Sequence, residues 1–410
     1  MQKLYGLLGR TLVHSYSADI HHLLGNDAYA LYELEPQDLS AFFARKDFGG
    51  VNVTIPYKKD VLKYCDVLSP EVSEIGAANV ILKKDGKFIA YNTDKAGFLY
   101  MLNGSSVSVQ GKKVLVLGSG GASASVQVAL KELGPKEVVV ISRSGENNYD
   151  NLGKHADADV IINTTPVGMY PDVTVSPVDL ALFPQLSGVL DLIYNPLRTD
   201  IMLQAEARGI PAVGGMSMLV AQAVATHELF FDTKVKKQVF EDVLSTLTHR
   251  AQNIVLCGMP GTGKTSVAKA IGKLTGRDVI DTDELAEQLA GKPIPQIFAE
   301  DGETFFRVYE HQAIEQACKY TGIIISLGGG AVTNDANYKP VKRNGRLYCL
   351  HRNLDLLPLD NRPLSKDRDT LQQMEQDRAP LYAKFSDVTL ENNGTLEQIV
   401  QAVLDDFARQ

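Results

Sequence analysis

Several features are scarce in this 410-residue chain, and each absence excludes a class of protein. There is no C-x-x-C pair, which argues against a disulfide framework or a zinc ribbon, and the four cysteines are scattered at Cys65, Cys257, Cys318 and Cys349. No apolar run reaches membrane-spanning length, and the N-terminus lacks the pattern of a secretory signal. The net charge is −8, and the chain has no long run of residues with charge of one sign. We expect a cytoplasmic protein that binds neither nucleic acid nor membranes, and its oligomeric state stays open.

A phosphate-binding loop is indicated in the middle of the chain. The segment 254–266 reads IVLCGMPGTGKTS, a predicted strand that leads into G-x-x-x-x-G-K-[ST] and an apolar-periodic helix. Glycines let backbone N–H groups point at phosphates, and the helix N-terminus adds partial positive charge. The nucleotide is expected to contact Gly258, Gly261, Thr262, Gly263, Lys264, Thr265 and Ser266, with the Thr265 hydroxyl on Mg²⁺. Because such loops follow the first strand of their domain, we expect domains at 1–248 and 249–410.

A second glycine-rich turn, Gly118-Ser-Gly-Gly-Ala122, lies between a predicted strand and a predicted helix. It matches the dinucleotide fingerprint except that Ser123 stands at the third glycine position. After the next strand the chain has Ser142-Arg143-Ser144 where an NAD site has an acidic residue, and a cation with two hydroxyls suits a 2′-phosphate. The pattern predicts NADP(H), with contacts from Gly118, Gly120, Gly121, Ala122, Ser142, Arg143 and Ser144.

Polar clusters follow strand ends in the first hundred residues. Ser15 and Ser17 stand two apart, so in an extended segment both hydroxyls would face one way, as binding of a small carboxylate requires. A turn or a helix N-cap is the commoner reason for such serines. Lys58 and Asp94, taken singly, fit solvated surface charges better than catalytic groups.

Residues 1 to about 247 resemble shikimate dehydrogenase. The motifs that carry the resemblance include Gly50-x-Asn-Val-Thr-Ile-Pro-x-Lys58, Gly76-Ala-x-Asn79, Asn92-Thr-Asp94-x-x-Gly-Phe98, Asn163-x-Thr-x-x-Gly-Met169 and Gly215-x-x-Met218-Leu-x-x-Gln222. The resemblance implies an α/β fold of two lobes: a substrate lobe at about 1–102 plus 216–248, and a Rossmann NADP lobe at about 103–215. It also implies reduction of 3-dehydroshikimate to shikimate with NADPH. The chain lacks the tryptophan usual late in this half, and Phe230 and Phe231 stand nearby.

The same resemblance implies roles for individual residues. Lys58 and Asp94 would form the catalytic pair, and substrate would be bound by Ser15, Ser17, Thr54, Asn79, Asn92, Tyr194 and Gln222. Hydride transfer to the C3 carbonyl creates negative charge on oxygen, which a lysine cation stabilises or protonates. The sequence leaves both roles open for Lys58.

Residues 253 to 410 resemble shikimate kinase. An NTP-driven motor would also fit the loop, but the predicted strand 323–327 ends in Gly328-Gly-Gly330, whose N–H groups suit a small anionic substrate. Further matching motifs are Asp281-x-Asp283, Gly302-Glu303-x-x-Phe306-Arg307-x-x-Glu310, Arg362-Pro-Leu364 and Arg378-x-Pro-Leu-Tyr382. The resemblance implies a P-loop α/β/α domain of the nucleoside-monophosphate-kinase type with a lid at about 351–366.

By this resemblance the kinase residues take separate roles. Lys264 would contact the ATP phosphates, Thr265 and Asp281 would hold Mg²⁺, and Asp283 would orient or deprotonate the 3-hydroxyl of shikimate. Arg307 and Arg378 would pair with the shikimate carboxylate, Gly328, Gly329 and Gly330 would receive the substrate, and Arg362 would close over the transferring phosphoryl group.

Together these features predict a bifunctional enzyme that converts 3-dehydroshikimate to shikimate 3-phosphate with NADPH and MgATP. One alternative has the first half act on quinate with NAD. Another makes the kinase half a degenerate, regulatory or binding module. The last helix of the first half is expected to end near Leu247, leaving a short junction at 248–253.

Overall fold

The computed structural model describes residues 4–12, 15–357 and 368–409. The chain divides into two compact units, residues 1–247 and 248–410. Two sheets belong to the first unit and one to the second. Within the described ranges, no helix combines the length and apolar composition needed to cross a membrane.

The first sheet is built from the first hundred residues. Its strands are β1 Leu4–Gly9, β2 Tyr29–Glu33, β3 Phe48–Val53, β4 Val67–Leu68, β5 Val80–Lys84 and β6 Lys87–Tyr91. The helices beside them are α1 Ser17–Leu23, α2 Leu39–Arg45, α3 Pro70–Ile75 and α4 Asp94–Asn103. The strand order is β2-β1-β3-β5-β6-β4, with β1 parallel to both neighbours and β5 antiparallel to β3 and β6. All six residues of β3 are buried, as expected for a strand covered on both faces.

The second sheet is entirely parallel. Its strands are β7 Lys113–Leu117, β8 Glu137–Ile141, β9 Val160–Asn163, β10 Gly188–Asp191 and β11 Ala212–Gly214. The helices are α5 Gly121–Lys131, α6 Asp200–Ala207, α7 Met216–Phe231 and α8 Lys237–Ala251. The strand order is β11-β10-β9-β7-β8, so the chain adds β8 on one side of β7 and the later strands on the other side. In such sheets ligands bind outside the carboxyl ends of the strands at this switch point, here between β7 and β9. The predicted Rossmann-type sheet is confirmed.

The second unit contains a five-stranded parallel sheet. Its strands are β12 Asn253–Cys257, β13 Val279–Asp281, β14 Ile324–Ser326, β15 Gly345–His351 and β16 Val388–Glu391, in the order β13-β14-β12-β15-β16. The helices are α9 Lys264–Thr275, α10 Thr282–Ala290, α11 Ile294–Glu300, α12 Gly302–Ala317, α13 Tyr338–Asn344, α14 Arg368–Phe385 and α15 Leu396–Phe407. Alternate residues of β12 enter two different cores: Val255 and Cys257 in one, Ile254 and Leu256 in the other. Helices therefore cover both faces, and the predicted α/β/α fold is confirmed.

The expected junction at 248–253 is wrong. Helix α8 continues to Ala251, so Gln252 alone separates it from β12. Leu247 and Ala251 are both buried, and residues four apart share one face of a helix. The apolar face that stabilises the helix therefore runs past the position where we expected it to end.

Candidate active sites

An ion pair between Lys58 and Asp94 forms the centre of the first site. Lys58 follows β3, and Asp94 is the first residue of α4, where a negative charge is favourable. Lys58 Nζ lies 2.5 Å from Asp94 Oδ2, and the two side chains are 19% and 9% exposed. Asn79 Nδ2 donates to the other carboxylate oxygen at 2.9 Å. Both oxygens of Asp94 are therefore engaged, and the lysine head group is held in one place.

Close packing of α4 against α7 brings Gln222 to this ion pair. A Cβ at Gly97 of α4 would lie 2.8 Å from the backbone oxygen of Met218 and 3.1 Å from the Cβ of Gln222. Gln222 Oε1 accepts from Asn79 Nδ2 at 3.5 Å. Glycine in a helix interior costs about 1 kcal/mol relative to alanine, and here it permits the approach of the second helix.

Asn92 and Thr54, two more of the expected substrate-binding residues, directly follow strands of the first sheet, β6 and β3. Asn92 is buried, and its Oδ1 accepts from the N–H of Asp94 at 3.0 Å while its Nδ2 donates to the carbonyl of Ala77 at 2.9 Å. One amide N–H of Asn92 remains for a substrate. Thr54 follows β3, and its backbone N–H donates to the carbonyl of Leu8 at 2.9 Å.

The two serines of the expected carboxylate site do not lie in an extended segment, so that premise is wrong. Tyr16 between them has φ −77° and ψ 0°, and Ser17 is the first residue of α1. The N–H of Ser17 donates to Ser15 Oγ at 3.2 Å, a local bond that favours a turn over extended backbone. The ring of Tyr16 meets that of Tyr194 edge-on, with centroids 5.7 Å apart. The structure thus brings the serines close to Tyr194, whose pKa is raised by burial.

The glycine-rich turn after β7 contacts both the loop after β9 and Lys58. Gly118 has φ 105°, and a Cβ there would lie 2.8 Å from Thr164 Oγ1. Gly120 and Gly121 begin α5, with Ala122 in its first turn, and a Cβ on Gly121 would lie 3.6 Å from Lys58 Cδ. The helix N-terminus expected to hold a pyrophosphate and the expected catalytic lysine are therefore neighbours.

The segment Ser142-Arg143-Ser144 follows β8 directly. The N–H of Ser142 donates to the carbonyl of Asn147 at 3.1 Å, which folds the segment back as a turn. Arg143 and Ser144 are exposed, and Arg143 makes no ion pair with any residue of the described ranges. A guanidinium presented in this way suits an anionic group such as a 2′-phosphate.

Asp191, the last residue of β10, is a buried acidic residue with no role assigned from the sequence. Its carboxylate accepts from Thr199 Oγ1 at 2.6 Å, from Asn163 Nδ2 at 3.0 Å and from the N–H of Ile193 at 3.1 Å. Burial raises its pKa to about 6. These bonds connect the loops that follow β9 and β10. The loop after β9 also contacts the glycine-rich turn at Gly118.

The second site surrounds a cavity of about 660 Å³ at the carboxyl ends of β12, β13 and β14. Gly258 has φ 138°, and a Cβ there would lie 2.4 Å from the carbonyl oxygen of Leu350. Lys264 is buried, and its Nζ donates to the carbonyls of Gly258 at 2.9 Å and Met259 at 3.1 Å. The cavity lining includes Gly261, Gly263, Lys264, Thr265 and Ser266, while Thr262 is buried behind it.

The two expected metal ligands, Thr265 and Asp281, are in contact. Thr265 Oγ1 donates to Asp281 Oδ2 at 2.7 Å, and the N–H of Asp283 donates to Asp281 Oδ1 at 3.0 Å. No group of three or more His, Cys, Asp or Glu side chains in the described ranges could enclose a metal ion. A hydroxyl with one carboxylate fits Mg²⁺, which takes oxygen ligands and keeps several from water and substrate phosphates.

Asp283 lines the cavity beside two other carboxylates, those of Asp281 and Glu310. A Cβ on Gly328 would lie 2.4 Å from Asp283 Oδ1 and 2.9 Å from Glu310 Oε1. Burial, reinforced by Asp281, raises the pKa of Asp283 to about 6. Arg307 Nη1 donates to Glu310 Oε2 at 2.8 Å, and burial raises the pKa of Glu310. Glu310, to which no role was assigned from the sequence, therefore anchors one of the two expected carboxylate-binding arginines.

The glycines after β14 are positions where any side chain would collide. A Cβ on Gly329 would lie 2.7 Å from Pro260 Cγ, and one on Gly330 would lie 2.2 Å from Arg307 Nη1. Arg378 Nη1 donates to the carbonyl of Gly329 at 3.0 Å. The structure therefore brings Arg307 and Arg378 to the same glycine turn. Arg362 and most of the expected lid lie outside the described residues.

Comparison with known proteins covers both units. Residues 7–81 match the family model "Shikimate dehydrogenase substrate binding domain". The shikimate dehydrogenase (NADP(+)) of Clostridium perfringens is 36% identical over 276 residues, which span 60% of this chain and 99% of that protein. The chain belongs to the shikimate dehydrogenase family. Residues 260–408 match the family model "Shikimate kinase", so a shikimate kinase domain follows in the same chain.

Solved structures agree with the family assignment. A chorismate mutase/shikimate 5-dehydrogenase fusion protein from Clostridium acetobutylicum is 35% identical, with a TM-score of 0.57 over 60% of this chain and 97% of that one. The shikimate 5-dehydrogenase from Thermus thermophilus, solved with NADP(H) and shikimate, is 31% identical, with a TM-score of 0.54 over 60% of this chain and 99% of that one. The shikimate dehydrogenase relationship therefore extends through both sheets of the first unit.

Proposed function

We propose that the first unit reduces 3-dehydroshikimate to shikimate with NADPH and that the second phosphorylates the 3-hydroxyl of shikimate with MgATP. The observation that carries the first half is the Lys58–Asp94 ion pair beside the first turn of α5. The relatives named above as NADP(+) enzymes support the cofactor, and Arg143 provides an exposed cation for its 2′-phosphate.

Reduction requires one positive charge at a defined place. NADPH supplies the hydride when bound. Lys58, fixed through Asp94 and Asn79, meets the negative charge that develops on the C3 oxygen and either stabilises it or supplies the proton. Asn79, Asn92, Thr54, Tyr194 and Gln222 bind the hydroxyls and ring, and Ser15 and Ser17 bind the carboxylate.

Phosphorylation requires neutralised charge and an aligned hydroxyl. Mg²⁺ held by Thr265 and Asp281 neutralises phosphate charge when bound, and Lys264 adds a cation in the same loop. Asp283, which lines the cavity, accepts or orients the proton of the 3-hydroxyl. Arg307 and Arg378 receive the carboxylate of shikimate at the glycine turn. The resemblance assigns Arg362, which lies outside the described residues, to the transferring phosphoryl group.

The purified chain provides the test. We expect 3-dehydroshikimate to drive NADPH oxidation, with a much lower rate for NADH, and shikimate plus MgATP to yield ADP and a phosphorylated product visible by mass spectrometry. Quinate with NAD serves as the comparison substrate for the alternative. Oxidation of quinate with NAD at a higher kcat/KM than that of shikimate with NADP would overturn the first assignment. ATP binding without transfer to shikimate would overturn the second.

A further inference from the structure

The hydroxyl of Thr226 occupies a buried position one helical turn beyond Gln222. Thr226 lies on α7, and its side chain is fully buried. Its Oγ1 lies 2.9 Å from the carbonyl oxygen of Gln222, 3.2 Å from Thr93 Oγ1 and 3.1 Å from Asn52 Nδ2. One hydroxyl thus connects α7 to β3 and to the residue that precedes α4.

The chemistry of the donors fixes the direction of every bond in this network. A hydroxyl has a single hydrogen, and Thr226 uses it on the carbonyl of Gln222. Thr93 must therefore donate to Thr226, which leaves the Thr93 oxygen to accept from Asn79 Nδ2 at 2.9 Å. The N–H of Thr93 donates to Asn79 Oδ1 at 2.8 Å. The Asn79 amide is thereby held with its nitrogen toward Asp94, where it donates to Oδ1 at 2.9 Å.

A second branch supports Thr226 from the edge of the sheet. Asn52 Nδ2 donates to Thr226 Oγ1, and Asn52 Oδ1 accepts from the hydroxyl of Tyr29 at 2.7 Å. The ring of Tyr29 stacks on His21, with centroids 4.0 Å apart and planes inclined by 9°. Asn52 and His21 are both buried, so the Asn52 amide is shielded from water.

We propose that Thr226 is a positioning residue for the reduction, acting through Thr93 and Asn79 on the carboxylate that holds Lys58. The proposal rests on the function proposed for the first unit. If the Asn79 amide turned over, its oxygen would face the Asp94 carboxylate, and repulsion would displace the ion pair. Thr226 opposes this by accepting the Thr93 hydroxyl proton, which leaves the Thr93 oxygen to accept from Asn79 Nδ2 and adds to the orientation that the Thr93 N–H sets at Asn79 Oδ1.

The test compares Thr226→Val with Thr226→Ser. Valine keeps the shape and removes the hydroxyl, so the buried donors of Thr93 and Asn52 lose their acceptor; serine keeps the hydroxyl. We expect kcat for reduction to fall about tenfold in Thr226→Val, KM for NADPH to stay within about twofold, and Thr226→Ser to retain most of kcat. The kinase rate of the same preparation controls for the amount of chain, and thermal unfolding of the first unit controls for its folding. Equal kcat in wild type and the valine variant, or equal losses in both variants, would overturn the proposal.

Two tyrosines on neighbouring strands provide a matched pair for the second branch. Tyr29 and Tyr5 are register partners in β2 and β1, but the hydroxyl of Tyr5 donates to the carbonyl of Phe230 at 2.9 Å, outside the network. We expect Tyr29→Phe to lower kcat for reduction about twofold to fivefold and Tyr5→Phe to leave it unchanged. A loss in Tyr5→Phe as large as in Tyr29→Phe would show that only packing is involved.

A crystal structure of Thr226→Val separates failure of this proposal from failure of the proposed function. The Asn79–Asp94 contact of 2.9 Å should be lost or lengthened, whatever substrate the first unit reduces. An unchanged contact would overturn the positioning role even if the chain reduces 3-dehydroshikimate well.

Discussion

The two candidate sites handle charge in opposite ways. In the first unit one ion pair stands in a network of neutral amides and hydroxyls, and both oxygens of Asp94 have partners within the protein. In the second unit Asp281, Asp283, Glu310, Lys264, Arg307 and Arg378 line one cavity of about 660 Å³. Hydride transfer needs a single positioned cation, whereas phosphoryl transfer needs several charges that a nucleotide, a metal and a carboxylate neutralise.

Two carboxylates of the second site have raised pKa values. Burial raises the pKa of Asp283 to about 6 and that of Glu310 above its ordinary value, because cationic partners offset only part of the cost of burying two carboxylates together. A carboxylate with such a pKa can exchange a proton near neutrality. The expected catalytic carboxylate of the kinase site, Asp283, is therefore governed mainly by desolvation, whereas that of the dehydrogenase site, Asp94, is held by bonds from Lys58 and Asn79.

Arg143 is the one charged group that we assign to cofactor recognition in the first unit. Its replacement therefore tests whether that unit uses charge to recognise its cofactor. Arg143→Ala should weaken NADPH about tenfold to a hundredfold and NADH much less, since a charge-assisted bond to phosphate is worth about 1.5 to 3 kcal/mol. The ratio of kcat/KM for the two cofactors measures this. Ser144→Ala, which removes a neighbouring exposed hydroxyl but no charge, is the matched control. Equal losses with both cofactors in Arg143→Ala would mean that the segment does not read the 2′-phosphate.

A pH profile sharpens the contrast for the second site. Because the raised pKa of Asp283 is about 6 and the reaction uses its ionised form, kinase kcat/KM should fall about tenfold between pH 7 and pH 5. The sign for stability is opposite: the folded state binds this proton more tightly than the unfolded chain, so the contribution of Asp283 to stability is lost as pH rises through about 6. Circular dichroism of the same samples verifies that both units stay folded across the pH range. A kinase profile that is flat from pH 7 to pH 5 would contradict the role of Asp283.

Sequence reasoning found the parts of these sites that depend on residue type and spacing. Loops at the carboxyl ends of parallel strands meet at one edge, so the P-loop, Asp281 and Gly328 could be brought together from the strand pattern alone. It missed what depends on three-dimensional contact. Nothing local indicates that Thr226 meets Asn52, since they are 174 positions apart, or that α8 continues to Ala251. The predicted extended backbone at Ser15 and Ser17 was wrong because the N–H of Ser17 donates to Ser15 Oγ, and this local bond favours a turn.

Two glycine substitutions should produce smaller effects of different kinds. Gly330→Ala places a methyl group against the end of the Arg307 side chain rather than against backbone, so we expect KM for shikimate to rise several-fold in the kinase assay with a smaller loss of stability than in Gly97→Ala. Gly97→Ala collides with backbone of α7, so we expect about 1 to 3 kcal/mol lower stability of the first unit and a lower reduction rate. Thermal unfolding and both assays distinguish them. A stability loss in Gly330→Ala equal to that in Gly97→Ala would contradict this distinction.

The central claim is that one chain carries two complete and separate active sites. Lys58→Ala should abolish reduction and leave phosphorylation of added shikimate intact, and Asp283→Asn should do the reverse. The most direct measurement mixes the two variants with 3-dehydroshikimate, NADPH and MgATP and follows shikimate 3-phosphate by mass spectrometry. We predict that neither variant forms it alone and that the mixture does. Loss of both activities in either folded variant, or a mixture that accumulates shikimate without phosphorylating it, would contradict the account.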